Sequence, residues 1–230
     1  MEKINKKSVF GWSLLFVVML VISLLIQTPA AWVLSNKTVT AQLGKAGVEL
    51  SSVEGAVWNA KADLFVKKQY SGQVSWQLNA LNLIWLNVDV DVRWQFHDSK
   101  LQSHLNVGML NPAQAQIEGT SGHVKIDEMI DLAANHLPPK LAMLQEAKGR
   151  IEITQFDTVL DLNEGKTQNL KAKADVKGLA LMGNVFKMIK LDARQAEKGQ
   201  TISGNILSEG QTWNLTGEFI LPNLKSYQGH

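Results

Sequence analysis

Five histidines and one acidic cluster are the side chains with which this sequence could do metal or acid–base chemistry. The histidines are His97, His104, His123, His136 and His230. No two form an HxH or HExxH arrangement, and none is flanked by carboxylates at ligand spacing. Such spacing is what lets ligands converge on one ion. Scattered histidines read instead as turn and surface residues. Asp127, Glu128 and Asp131 could be an acid/base group, but they open a helical pattern, where carboxylates stabilise the positive end of the backbone dipole. Gly119-Thr120-Ser121-Gly122 has neither the spacing nor the lysine of a phosphate loop, and no Gly-x-Ser-x-Gly elbow occurs. There is no Cys, which removes thiol catalysis, disulfides and cysteine metal sites. The sequence therefore assigns no catalytic, cofactor-binding or metal-binding residue, and reads as a non-enzyme.

With no chemistry to position, the elements themselves carry the information. Val9 to Ile26 contains no charged side chain, and Lys3, Lys6 and Lys7 precede it. As a helix that run spans about 27 Å, close to the ~30 Å hydrocarbon core of a bilayer. Inside lipid the backbone must satisfy its own hydrogen bonds, so a helix is expected. Positive flanks stay cytoplasmic, which puts the rest of the chain across the membrane. A cleaved secretory signal is the alternative. Its apolar stretch is usually about 7–15 residues, shorter than this run, and Pro29 sits between the small residues where cleavage would fall. The expected layout is a basic tail (1–8), a transmembrane helix (9–27), a connector (28–47), a β-rich periplasmic domain (48–222) and a polar tail (223–230). Such a chain would sit in a bacterial inner membrane as a single-pass protein.

Removing Glu2 and the three tail lysines from the net charge of +2 leaves acids and bases equal in number. A balanced domain has no electrostatic bias toward nucleic acid or anionic lipid.

From Val48 onward the dominant period is two. Trp58, Ala60, Ala62, Leu64 and Val66 alternate with polar positions. So do Val74, Trp76 and Leu78, then Val88, Val90, Val92, Trp94 and Phe96. Strict alternation marks half-buried strands, since successive side chains point to opposite faces. His97-Asp98-Ser99-Lys100 looks like a hairpin turn. Residues 127–146 break the rhythm as a helical interlude closed by Pro138-Pro139, and alternation returns from Ile151 to Leu221. The expected fold is mainly β: a curved antiparallel meander, in two strand-rich halves around a short helical segment, preceded by one transmembrane helix.

Its apolar face must meet a second sheet, itself by curling, or a ligand. Trp58, Trp76, Trp94 and Trp213 fall in phase with the apolar positions and are expected in the core. Phe65 and Lys67 are expected on the outward face. Trp32, just past the apolar run, suits a membrane interface.

Two segments carry a family resemblance. Pro29-Ala30-Ala31-Trp32 follows the anchor. Val53-Glu54-Gly55-Ala56-Val57-Trp58-Asn59-Ala60 opens the first long strand, with Gly72-Gln73-Val74-Ser75-Trp76 beyond it. Together they resemble protein N of bacterial type II secretion systems, although Ala56 and Ala60 stand where that family usually has Thr and Gly. The resemblance implies an inner-membrane component working by assembly contacts with other secretion components, and it marks Pro29, Ala30, Trp32, Gly55, Trp58, Gly72 and Trp76 as structural motif positions. Long one-sided meanders on a single anchor also resemble AsmA-like proteins, which implies an apolar groove and a lipid ligand as the alternative.

Overall fold

The computed structural model describes Phe16, Met19, Ser23 and residues 27–45, 47–133, 146–162, 166–181, 184–195, 201–210 and 214–222. Among these, no helix is long and apolar enough to cross a membrane. The expected span at 9–27 lies outside the described residues except for Phe16, Met19, Ser23 and Gln27. His136, Pro138, Pro139, Trp213 and His230 lie outside them too.

Eleven strands form one antiparallel sheet: β1 (Val48–Ala56), β2 (Asn59–Val66), β3 (Gln69–Leu78), β4 (Asn87–Phe96), β5 (Ser99–Gly108), β6 (Gln114–Lys125), β7 (Lys148–Asp161), β8 (Lys166–Leu181), β9 (Asn184–Gln195), β10 (Thr201–Gly210) and β11 (Asn214–Pro222). Their spatial order is their order in sequence, from β1 to β11. Each strand thus folds back on the one before it, the simplest meander. Helices α1 (Ala30–Leu34) and α2 (Lys37–Lys45) precede it and pack on β1. Helix α3 (Ile126–Ala133) joins β6 to β7, and a 3-10 turn (Ala80–Trp85) joins β3 to β4.

The meander expected from alternation is present, with three differences. First, the two strand-rich halves are one sheet, because β6 and β7 pair directly from Gln114↔Asp161 to Lys125↔Arg150 despite the helix between them. Second, β6 itself escapes the alternation test. Its register against β5 shifts between Gln102↔Ser121 and His104↔Glu118, so one extra residue around Gly119-Thr120 breaks the period. Such a bulge bends its strand and re-aims the side chains. Third, Phe65 is not an outward residue. A register shift between Asp63 and Phe65 turns its ring edge-on to Tyr70 at 5.6 Å, and Tyr70 neighbours the buried Phe96 at 6.2 Å.

Register shows why one face is apolar. Starting at Ala62, the partners run Val74, Trp94, Leu101, Gly122, Ile153, Ala174, Leu191, Ile206 and Gly217. No charged or polar side chain interrupts this row across ten strands. One row over, on the other face, the partners are Asp63, Gln73, Gln95, Lys100, His123, Glu152, Asp175 and Lys190.

Yet the apolar face closes little. Among the described residues the buried apolar side chains are Phe96, Val124, Leu170, Val176 and five alanines. An alanine contributes only one methyl, on the order of 1 kcal/mol. Trp76 and Trp94 are half-buried. No second sheet covers this one among the described residues.

Candidate functional site

The motif positions near the N-terminus converge on one place. Thr28 and Pro29 run against the β1–β2 hairpin: Val57 N–H donates to the Thr28 carbonyl at 3.0 Å, and Pro29 bridges Ala56. Ala30, which opens α1, is 2 % exposed there. Gly55 lets the hairpin close. Its φ of +104° is one that side chains avoid, and a Cβ would lie 2.4 Å from the Asn59 carbonyl oxygen. The close approach expected of a small residue in this hairpin is thus made by Gly55, with Ala60 buried opposite it. Trp58 lies in the turn rather than within a strand, and its carbonyl accepts from Leu78 N–H at 2.7 Å. Trp76 reaches over from β3, its indole N–H donating to the Val57 carbonyl at 3.0 Å. Pro29, Ala30, Gly55, Trp58 and Trp76 therefore form one joint that fixes the stem to the sheet. Trp32 points away and is 73 % exposed.

Gly72 belongs to a second joint at the opposite end of the strands. It has φ +103°, and a Cβ would fall 2.3 Å from the Gln95 carbonyl oxygen. The Trp94 indole donates to the Ser71 carbonyl beside it at 2.7 Å. Both joints use the same device: a glycine admits a close backbone approach, and an indole N–H satisfies a carbonyl next to it.

The acidic cluster does something its helix position did not reveal. Glu128 is buried, and its carboxylate accepts from the Asp98 and Ser99 amides at 3.2 and 3.0 Å and from the Ser99 hydroxyl at 2.5 Å. Burial pushes its pKa up, but the Ser99 hydroxyl, the two turn amides and nearby Lys125 outweigh it and hold the carboxyl below its ordinary value. Glu128 thus latches α3 onto the β4–β5 turn. Ser99 is fully buried and its hydroxyl also accepts from Lys125 N–H at 2.9 Å, so this Ser–Glu pair is a tie, with no access for a substrate.

On the polar face His104 stands between two carboxylates of β4. Its Nδ1 is 3.0 Å from Asp91 and its Nε2 is 3.0 Å from Asp89. The hydrogen bond to Asp91 raises its pKa against the opposing effect of desolvation, with the charges of Asp89 and Glu118 adding to the rise. When protonated, the ring donates to both acids and has no lone pair left for a metal. Neither His97, in the β4–β5 turn, nor His123, bonded to the Asp98 carbonyl, joins it. No group of ligating side chains suited to a metal occurs among the described residues.

The two sheet edges differ. The outer edge of β1 is occupied by the Pro29 bridge and the α1–α2 segment, and its register shifts between Ser51 and Glu54. At the other side, β11 pairs with β10 without interruption from Asn214 to Pro222 and stands last in the sheet. Covering and bulging are how proteins blunt an edge against pairing. Among the described residues only β1 is treated so.

Sequence reasoning passed over one group. Leu81, Ile84, Trp85, Leu86, Met109 and Leu110 are all exposed, Trp85 by 78 % and Leu110 by 85 %. They occupy the β3–β4 and β5–β6 connections. Their signal was the absence of charge throughout 79–86 and 108–113, which a search for alternation does not register.

The described residues thus form a single-layer antiparallel meander tied to an N-terminal stem. The profile of type II secretion system (T2SS), protein N, matches residues 46–225, more than three quarters of the chain. The chain belongs to that family and is a type II secretion system component, so contacts with other secretion components are implied. No curated protein and no solved structure matches it.

Proposed function

We propose that this chain is a non-enzymatic, single-pass component of the secretion system in the bacterial inner membrane, with its N-terminus cytoplasmic and its sheet in the periplasm. It contributes assembly contacts for export of folded proteins. The observation that carries this reading is the joint at Thr28–Ala30, which ties the sheet directly to the segment following the apolar run. A tether of that kind holds a binding surface at a set place beside the membrane. The bare edge of β11 is the surface best suited to a partner strand, since its backbone groups can extend the ladder.

Topology and partner are tested together in cells with the outer membrane permeabilised. Added protease should digest the sheet domain while the basic tail stays protected. A photo-crosslinker at Thr216 or Glu218 should capture secretion components, and one at Glu49 on β1 should not. A protected sheet domain, or equal capture from both edges, would count against the reading.

The unbroken apolar row favours a second reading, in which the half-exposed face shields a lipid chain. Stoichiometric phospholipid in the purified protein would support it.

A further inference from the structure

The meander sorts its connections between two ends. At one end lie the stem, the β1–β2 turn at Val57-Trp58, the β3–β4 connection, the β5–β6 connection and Leu162 after β7. These loops are tied to one another: Met109 N–H donates to the Leu86 carbonyl and Leu162 N–H to the Ala113 carbonyl, both at 2.7 Å. At the other end lie Lys67 and Lys68, His97 and Asp98, Lys125, Asp127 and Glu128, and Lys148.

The part of this end nearest the stem is apolar, and it is open to solvent. Leu81, Ile84, Trp85, Leu86, Met109 and Leu110 are exposed, and no charged residue occurs in 79–86, 108–113 or 27–36. Isolated exposed apolar residues need no explanation, but a contiguous group marks a surface that something covers.

The chain itself says what covers it. The apolar run ends at Ile26, and two residues later Thr28 is hydrogen-bonded to the β1–β2 turn. Two residues reach at most about 7 Å. The headgroup layer on each side of a bilayer is about 5–8 Å deep. If the run spans the membrane, the β1–β2 turn must therefore sit within or against that layer. Neighbouring strands are about 4.8 Å apart, so the β3–β4 connection lies about 10 Å away and the β5–β6 connection about 20 Å. Sheet twist of about 20–25° per strand turns later connections progressively out of that plane. In the sequence, charge returns at Glu164 and Lys166 and again at Glu197 and Lys198.

The geometry points to a second membrane contact: the β3–β4 and β5–β6 connections insert Leu81, Ile84, Trp85, Met109 and Leu110 into the headgroup–acyl boundary of the same bilayer that the anchor crosses. Its occupant is a lipid surface. This rests on the single-pass reading above. Trp85 and Trp32 have the amphipathic rings suited to that depth. With no acid or base in these loops, attachment is by apolar burial and does not call for anionic lipid. Two contacts about 10–20 Å apart would hold the sheet upright, where a lone helix would let it pivot.

Because the chain has no Cys, single cysteines can be placed at will. In the full-length chain, Ile84→Cys, Leu110→Cys, Asp127→Cys and Leu20→Cys would each carry an environment-sensitive fluorophore. The protein would be reconstituted in phosphatidylcholine vesicles, with and without phosphatidylglycerol, containing lipids with a nitroxide near the headgroup or deep in the chain. The expected result is quenching at 84 and 110 by the shallow nitroxide about threefold or more above that at 127, independent of phosphatidylglycerol, with residue 20 quenched by the deep one. Quenching at 84 and 110 equal to that at 127, with residue 20 still quenched, would overturn this inference and leave the anchor standing. An unquenched residue 20 would remove the anchor and the inference together.

Discussion

The two ends of the sheet are built from the same hairpins but face opposite problems. At the far end the turns are tight and polar. Lys67, Lys68 and His97 adopt positive φ, and Glu128 gathers the turn amides of Asp98 and Ser99. Lys125 pairs with Asp98 across the same corner. At the stem end the β3–β4 and β5–β6 connections are longer, uncharged and tied by a backbone bond, with their apolar side chains left outside. Turn polarity in a meander is thus not a uniform concession to water. One sheet can close its turns with charge at one end and leave apolar side chains exposed beside the stem at the other.

The largest effect should come from filling either glycine joint, one at each end. Gly55→Ala or Gly72→Ala forces a Cβ into a backbone carbonyl at positive φ, and should cost about 3–4 kcal/mol. Thermal melting and protease resistance would read this as misfolding. Gly44→Ala, with nothing within 4 Å, should be neutral or slightly stabilising. If all three behave alike, the joints are not what holds the strand ends.

Next, Glu128→Ala should cost about 2–3 kcal/mol by leaving the Asp98 and Ser99 amides and the Ser99 hydroxyl unsatisfied. Because the Glu128 pKa is depressed, its contribution is present above the ordinary carboxylate range and fades as pH falls through the folded value. Hydrogen-exchange protection at the β4–β5 turn, corrected for the intrinsic rate at each pH, should therefore fall in acid in the parent protein and be low at every pH in the variant. Trp76→Phe, at the stem joint, keeps the ring but loses the bond to Val57, for about 1 kcal/mol.

Trp85→Ser and Leu110→Ser at the stem end should change folding stability by less than about 0.5 kcal/mol, since both side chains are exposed. A larger loss in chemical denaturation would mean that these residues pack on the sheet instead of serving an outside surface. Smallest of all is the His104 effect. Its raised pKa means that its pairing with Asp89 and Asp91 is fully present below the ordinary histidine value and is lost as pH rises through the folded one. Half-exposed and screened, the pairing should contribute under about 1 kcal/mol. A histidine NMR titration that is raised in the folded protein and normal after Asp91→Asn would confirm it.

Much of the sheet was legible because alternation reports burial on one face, and Val88 to Phe96 could hardly be anything else. Strand β6 and the placement of Phe65 were not, because one extra residue inverts the parity on which the reading depends. The motif around Gly55 and Trp58 could be recognised, but its purpose needed coordinates, since the carbonyls it satisfies belong to other segments. Glu128 does stand in the first turn of its helix, but its latch could not be read for the same reason: its partners lie about thirty residues away in sequence, beyond any local rule.

Composition and period alone determined a mainly β chain with no thiol chemistry, an uncharged N-terminal run and a balanced remainder. These are properties of each residue and its near neighbours, which is where the hydrophobic pattern is written. Only the tertiary structure decided that the strands make one layer instead of two, that among the described residues one edge is covered and the other bare, and that the apolar connections share an end with the stem. Those facts are relations between distant segments, set by register and by which way the meander begins.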